Sequence, residues 1–324
     1  MNLELGRLFL VNSLTAQLID TKTGNHLWAE NYDRNIEDIF DLQDEISLKI
    51  LRALHIKLVA GAGMNPCARA TDNVRAYLKL IQAMYYGWQG DIEGNKLSMQ
   101  KCEEAIKLDP NYGPAYSYLA WGHLNEIKLC ISSSPKQSVA KAFELAQKAL
   151  KANNVCPFAH ETMGGVYMYM GKSEKALEQF DAAIEMDPNW PDVYAILAMY
   201  FRFRGQPKEA LASIEKAFRL NPLPPPWYFT ILGSTSIMVG RYDEAISALE
   251  SGLRKAPNDL LIHTLLAIAY AILGREEHAR SEVSEALRIH PHFSFACIGH
   301  IVKSYKDEAV IKRITDGLHK AGLK

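Results

Sequence analysis

Few of the features that mark a secreted, membrane-bound or nucleic-acid-binding protein are present in this 324-residue sequence. Its five cysteines, at 67, 102, 130, 156 and 297, are an odd count, widely spaced and without a C-x-x-C pair. That pattern argues against a disulfide framework or a structural zinc site and predicts a reducing compartment, with the cytoplasm as the default. The longest early apolar run, "LFLV" at 8–11, is too short for a signal-peptide core and far short of a membrane span. Neither charge sign dominates: 36 basic residues stand against 37 acidic ones, a net charge of -1, so no global field draws the chain to nucleic acid or an anionic membrane. What is there is 48% hydrophobic and 23% charged, enough for a real core and outside the disordered class. Such a chain folds and selects its partners locally.

Internal repeats organise the rest. Prolines closing a "(D/N/A/H)-P" turn fall at Pro188, Pro222, Pro257 and Pro291, and glycines opening "G-(K/Q/R)-x-x-x-A" fall at Gly171, Gly205, Gly240 and Gly274. Both markers recur at intervals of 34, 35 and 34 residues. Ala176, Ala210, Ala245 and Ala279 complete the register, and Ala183, Ala217, Gly252 and Ala286 follow seven residues on. Small residues there let two helices of a hairpin cross closely, where larger ones would push the backbones apart.

These residues resemble the tetratricopeptide repeat, a 34-residue helix-turn-helix unit that stacks into a right-handed superhelix. Full copies span 157–190, 191–224, 226–259 and 260–293, and the extra residue falls in "NPLPPPWY", whose consecutive prolines forbid helix. Upstream, "CEEAIKLDPNYGPAYSYLAWGHL" and "AKAFELAQKALKANN" continue the pattern, with Asn154 where proline is expected and "LCISSSPKQS" taking up most of a ten-residue excess. About six units over 73–303 are expected, with a capping helix at 304–324 whose face is Val310, Ile311, Ile314 and Leu318. The fold class is therefore an all-α solenoid. In "GKS" at 171–173, Gly171 is expected to turn the hairpin at positive φ, with Ser173 capping the second helix and Glu174 favouring its N-terminus.

The N-terminal part differs. Residues 14–34, "LTAQLIDTKTGNHLWAENYDR", alternate polar and apolar around "TKTGN" and read as a β-hairpin. A helix at 36–59, with Ile39, Leu42, Ile46, Ile50 and Leu54 on one stripe, and a linker at 60–72 follow. The run "QLID…TG…LWAE.YDR…DIF.LQDEI", with the repeats and the closing "RITDGLHKAGLK", resembles the C-terminal half of bacterial signalling proteins. In that family a class III adenylate or guanylate cyclase domain, or a winged-helix domain, precedes a TolB-like α/β domain and a tetratricopeptide array. The resemblance implies that residues 1–59 are a partial TolB-like segment and that the chain is N-terminally truncated. An exposed hairpin edge also offers pairing with a second copy, as a homodimer.

No catalytic signature survives inspection. A phosphate loop needs glycine at 166, where Val166 stands. "HPH" at 290–292 falls in an inter-repeat turn and reads as solvated rather than metal-binding. "AHETMGG" at 159–165 lacks the second histidine of a zinc protease, and no G-x-S-x-G elbow frames a nucleophile. The paired aspartates that a cyclase uses for two metals are missing. "AMYYGW" and "YMYM" lack basic interleaving and read as core packing rather than base-stacking platforms. The expectation is a non-enzyme without catalytic, cofactor-binding or metal-binding residues.

In the family that the repeats resemble, the first helix of each unit lines a concave groove at its second, fifth, ninth and twelfth positions. Carried onto this chain, those positions are Glu161, Met168, Asp192, Met199, Arg202, Trp227, Thr230, Thr264 and Ile268. The mixture of polar, methionine and aromatic side chains suits a peptide segment or a neighbouring signalling domain, and equally suits residues that face water or help packing. The function so implied is a non-catalytic scaffold for protein–protein interaction in bacterial signalling. The alternative is the regulatory C-terminal part of a cyclase whose catalytic domain lies elsewhere.

Overall fold

A computed structural model describes residues 13–19, 26–33, 71, 73–152, 156–302 and 308–324. The chain divides into two units, residues 1–75 and 76–324. In the first, strands β1 (Ser13–Ile19) and β2 (His26–Asp33) pair antiparallel, with Ser13 opposite Asp33 and an irregularity between Leu18 and Ile19. The Thr15 hydroxyl donates to Asn31 Oδ1 across the pair at 2.7 Å. The expected turn "TKTGN", the helix at 36–59, all of the linker but 71, and Asn154 lie outside the described residues.

The second unit is a succession of helix pairs: α1 (Val74–Gly87) and α2 (Ile92–Leu108), α3 (Gly113–Lys128) and α4 (Pro135–Ala152), α5 (Pro157–Tyr169) and α6 (Ser173–Met186), α7 (Pro191–Phe203) and α8 (Pro207–Leu220), α9 (Pro226–Met238) and α10 (Tyr242–Leu253), α11 (Leu260–Ile272) and α12 (Glu276–Ile289). The short α13 (Phe295–Val302) and then α14 (Glu308–Lys320) follow. From α3 onward each first helix packs on the first helices of its neighbours, so the first helices form the inner layer of a curved stack. The second helices are strongly amphipathic and bury narrow stripes such as Ala176, Phe180 and Ala183 of α6. The first helices are buried almost all round, as in α11, where twelve of thirteen residues are buried.

Each corner repeats one backbone device. After α5 the Gly171 amide reaches Met168 O at 3.0 Å and the Lys172 amide reaches Tyr167 O at 2.9 Å, the double bond of a helix ending in a left-handed residue. Gly171, Gly205, Gly240 and Gly274 take φ of +72°, +68°, +79° and +70°, and Gly90 joins them at +70°. Gly90 escapes the sequence pattern because Asp91 follows it and Asn95 stands where the small alanine is expected; Asn95 is buried and its amide donates to Gly122 O at 3.2 Å. Ser173 is not the cap: Lys172 holds that position without a side-chain bond, and Ser173 is already the first residue of α6. Glu174 does lie in the first turn.

The proline turns are also built by side chains. Asp109, Asp187 and Asn221 each accept from the amide two residues on, at 3.0, 3.0 and 3.1 Å. His290 does the same to His292 at 3.2 Å; it is buried while Pro291 and His292 are exposed, so of the two histidines in the "HPH" turn only His292 is solvated. At the far end α14 packs on α11 and α12, burying Ile314 and Leu318, with Gly317 against Ala271.

The expectation about the cysteines is also overturned. Cys130 and Cys297 are disulfide-bonded with Cα atoms 5.6 Å apart, and Cys156 is disulfide-bonded as well; Cys102 is a buried free thiol. Wide sequence spacing did not exclude bonding, because curvature of the stack brings the end of α3 onto α13. The cysteine argument for a reducing compartment falls with it.

Candidate functional site

The inner layer gathers ionisable side chains from successive first helices. Glu161 of α5 is 2% exposed, and its Oε2 accepts a 2.6 Å hydrogen bond from the Trp190 indole, which stands just before α7. Asp192, in the first turn of α7, accepts from the Tyr228 hydroxyl of α9. Burial, and then the charge of Asp192, push the Glu161 carboxyl well above the usual range, against the Trp190 bond. Burial likewise raises Asp192 to about 6, opposed by Tyr228. Trp190, closing the 157–190 copy, and Tyr228, from the copy after that of Asp192, each hand a donor to a carboxylate of an earlier first helix, and the two acids remain close enough to feel each other.

Basic groups stand at the other end of these helices. Arg202 occupies the last turn of α7, ten residues or about 15 Å along the axis from Asp192. Its guanidinium lies 4.7 Å from the centroid of the Phe203 ring. Lys128 ends α3 with its ammonium 5.3 Å over Trp121, whose indole fits because Gly165 has no side chain to meet it. Burial lowers Lys128 to about 8, with Arg202 adding to the shift and Asp259 opposing it. Asp259 caps α11 by accepting from the Ile262 amide at 3.0 Å, and burial raises it to about 7 against that bond. Placing acids at helix starts and cations at helix ends agrees with the helix dipole.

Of the nine positions carried from the repeat pattern, Met168, Asp192, Arg202, Trp227 and Thr230 are half-buried on the inner layer. Glu161, Met199, Thr264 and Ile268 are buried. Thr264 turns its hydroxyl to Leu260 O at 2.7 Å, and Ile268 sits within the core formed with α10 to α14, so neither presents a free surface. Glu161 and Asp192 are brought together. Trp190, Tyr228, Lys128 and Asp259 were missed. Trp190 and Tyr228 flank proline turns, and that aromatic–proline adjacency is the signal that would have found them.

Among the described residues no three His, Cys, Asp or Glu side chains converge to hold a metal ion, and no helix is long and apolar enough to cross a membrane. Of the aromatic runs, Tyr167 packs on Phe143 at 5.9 Å, whereas Tyr85 is 62% exposed and not part of the core.

Comparison with known proteins bears on the repeat architecture. Tetratricopeptide repeat models match residues 157–190, 191–222 and 239–292. The sequence is 32% identical over 167 residues to "Putative adenylate cyclase 3" of Rhizobium meliloti (strain 1021), covering 50% of this chain and 28% of that protein. It is 43% identical over 114 residues to the mitochondrial import receptor subunit TOM70 of Rattus norvegicus, covering 28% and 19%. It is 24% identical over 221 residues to anaphase-promoting complex subunit 7 of Dictyostelium discoideum, covering 67% and 35%. The chain thus spans about a third or less of the length of these relatives. Among solved structures, the APC/C hetero-tetramer Cut9-Hcn1 superposes with a TM-score of 0.53 at 16% identity over 79% of this chain and 46% of that one. The stretches 157–190, 191–222 and 239–292 thus match tetratricopeptide repeats, and the likeness to the solved structure is one of fold, helix pairs stacked as a solenoid.

Proposed function

We propose that this protein is a non-catalytic scaffold whose inner helix layer holds an extended segment of a partner protein. The observation that carries the reading is the pair of carboxyl groups, Glu161 bonded by Trp190 and Asp192 bonded by Tyr228, at one edge of the layer, with Arg202 about 15 Å from Asp192 at the other. Buried carboxyls with one donor each gain from a further cation, so the acidic edge takes a lysine or arginine side chain of the segment. Arg202 takes a carboxylate. Met168 and Trp227, both half-buried, supply an adaptable apolar floor between them.

The test replaces Trp227, on the inner layer, with a photo-reactive phenylalanine analogue, and does the same at exposed Glu178 on the second helix α6. Irradiation in native lysate should join one polypeptide to the protein through position 227 and not through 178. Equal capture through both positions contradicts an inner-layer site.

A second reading is favoured by the identity to a bacterial protein described as a putative adenylate cyclase. In it the array is the regulatory C-terminal part of such an enzyme, the segment it holds belongs to a neighbouring signalling domain, and the strands at 13–19 and 26–33 belong to a TolB-like domain. Reading the DNA upstream of the first codon decides it. A cyclase domain in continuous frame supports this reading and an unrelated gene contradicts it.

A further inference from the structure

The corner after α3 stands apart from the other five. Its backbone bonds are those of the glycine corners: the Cys130 amide reaches Ile127 O at 3.1 Å and the Ile131 amide reaches Glu126 O at 2.9 Å. Yet the residue at positive φ is Cys130, at +59°, alone among the described non-glycine residues. A side chain in the left-handed region is unfavourable for every residue but glycine, and for cysteine it brings none of the local bonding that helps asparagine. The five equivalent positions, Gly90, Gly171, Gly205, Gly240 and Gly274, show what the corner alone prefers. Something other than the turn keeps cysteine here, and Cys130 is the residue bonded to Cys297 across 167 positions of sequence.

The bond does not stand alone. The Leu260 amide donates to Gly90 O at 3.2 Å, and Gly90 lies so close to the Asp259 carboxylate that any side chain at 90 would strike it. Leu129 is buried in the same core as α11 and α14, and the charges of Lys128 and Asp259 attract each other. Residues 90–130 of the first two units are thus seated on residues 259–297 at the far end. Of these links only the disulfide is covalent, and Cys130 is exposed to solvent, where a small thiol can attack it.

We propose that Cys130 and Cys297 form a reversible covalent clasp that locks the first turn of the array onto its last and sets the aperture of the inner layer. Opening is thiol–disulfide exchange with a dithiol reductant. The dithiol gives two electrons and two protons, the Cys130–Cys297 bond breaks to two thiols, and the reductant becomes a disulfide. Closing is the reverse, with a disulfide oxidant as electron acceptor. With the clasp open, only noncovalent links hold the seam, the Leu260–Gly90 hydrogen bond and the burial of Leu129 among them, and the inner layer becomes accessible from the side. The consequence for a bound segment rests on the inner-layer reading above; the clasp does not, and its test uses no partner.

The full chain is equilibrated with oxidised or reduced dithiothreitol, trapped with N-ethylmaleimide and mapped without reduction, while amide exchange is followed at Leu260. In oxidising buffer the folded protein should yield a linked peptide joining positions 130 and 297. On reduction, Leu260 exchange should rise at least tenfold, and the radius of gyration from X-ray scattering should grow. Cys130→Gly restores the preferred corner residue, so it folds with unchanged helical circular dichroism. It should exchange at the reduced rate in both buffers. The clasp is refuted if both thiols of the folded wild type stay open to alkylation in oxidising buffer. It is equally refuted if the linked peptide forms while Leu260 exchange and radius are the same in both buffers.

Discussion

Single residues in this chain separate into those held by backbone conformation and those held by space. Gly171 has φ of +72° and no neighbouring atom within 4 Å of where a side chain would begin, so Gly171→Ala should cost only the left-handed penalty, about 1 to 2 kcal/mol. Gly164 is helical, but a side chain there would strike the Phe180 ring; Gly164→Ala should cost about 1 to 3 kcal/mol through overpacking. Urea denaturation of the two variants, with Gly171→Asn partly rescuing the first and no polar residue rescuing the second, separates the mechanisms. His263 makes a pH-dependent contribution. Burial pulls its pKa down, but the 2.6 Å bond to Glu282, the Pro257 carbonyl and the nearby acids together raise it above 6.5. A raised folded pKa means stability that is complete below about pH 6.5 and lost as pH rises through the folded value. His263→Gln should therefore destabilise more at pH 6 than at pH 9 by thermal melting. The glycines were legible in the sequence because positive φ has a residue preference. The His263–Glu282 pair was not, because neither residue type is required there.

Elements show what a repeat pattern does and does not carry. The side chain at the fourth residue of three first helices, Tyr116, Tyr194 and His263, bonds the carbonyl of the proline six positions before it, at 3.0, 2.9 and 3.0 Å. Period and small-residue register revealed the four downstream pairs, since close helix crossing tolerates few side chains. The two upstream pairs are blurred, because Asn95 and Cys130 replace the marker residues and find compensating partners of their own. The site was legible only as helix positions. Which of them meet depends on donors further along the chain, Trp190 and Tyr228, that no spacing rule identifies. Asp192 shows the cost of the site. Its pKa of about 6 lies above its unfolded value, so it penalises folding increasingly as pH rises from about 4 to 6 and fully above that. Asp192→Asn should be at least as stable as wild type at pH 7.5 by melting temperature, while losing affinity for basic segments. On the closing helix, Ile314 is wholly buried, and Ile314→Ala should cost about 2 to 5 kcal/mol in denaturant titration.

At the scale of the whole array, each unit is rotated slightly from the last, and the sum of those rotations decides which distant residues meet. A sequence gives the period but not the rotation, which is why the meeting of Cys130 with Cys297, and of Gly90 with Leu260, was invisible in it. The array that results places acids and a guanidinium on one continuous inner layer, and the claim that this layer grips an extended polypeptide is the centre of the account. Selection of a displayed library of random twelve-residue peptides against the full chain tests it most directly, followed by calorimetric titration of the winners into Glu161→Gln, Asp192→Asn and Arg202→Gln proteins. The account predicts peptides that carry a basic residue and, several positions away, an acidic one, with affinity falling at least tenfold in each variant while the helical circular dichroism signal stays constant. Selected peptides without that charge pattern, bound equally by wild type and all three variants, would contradict it.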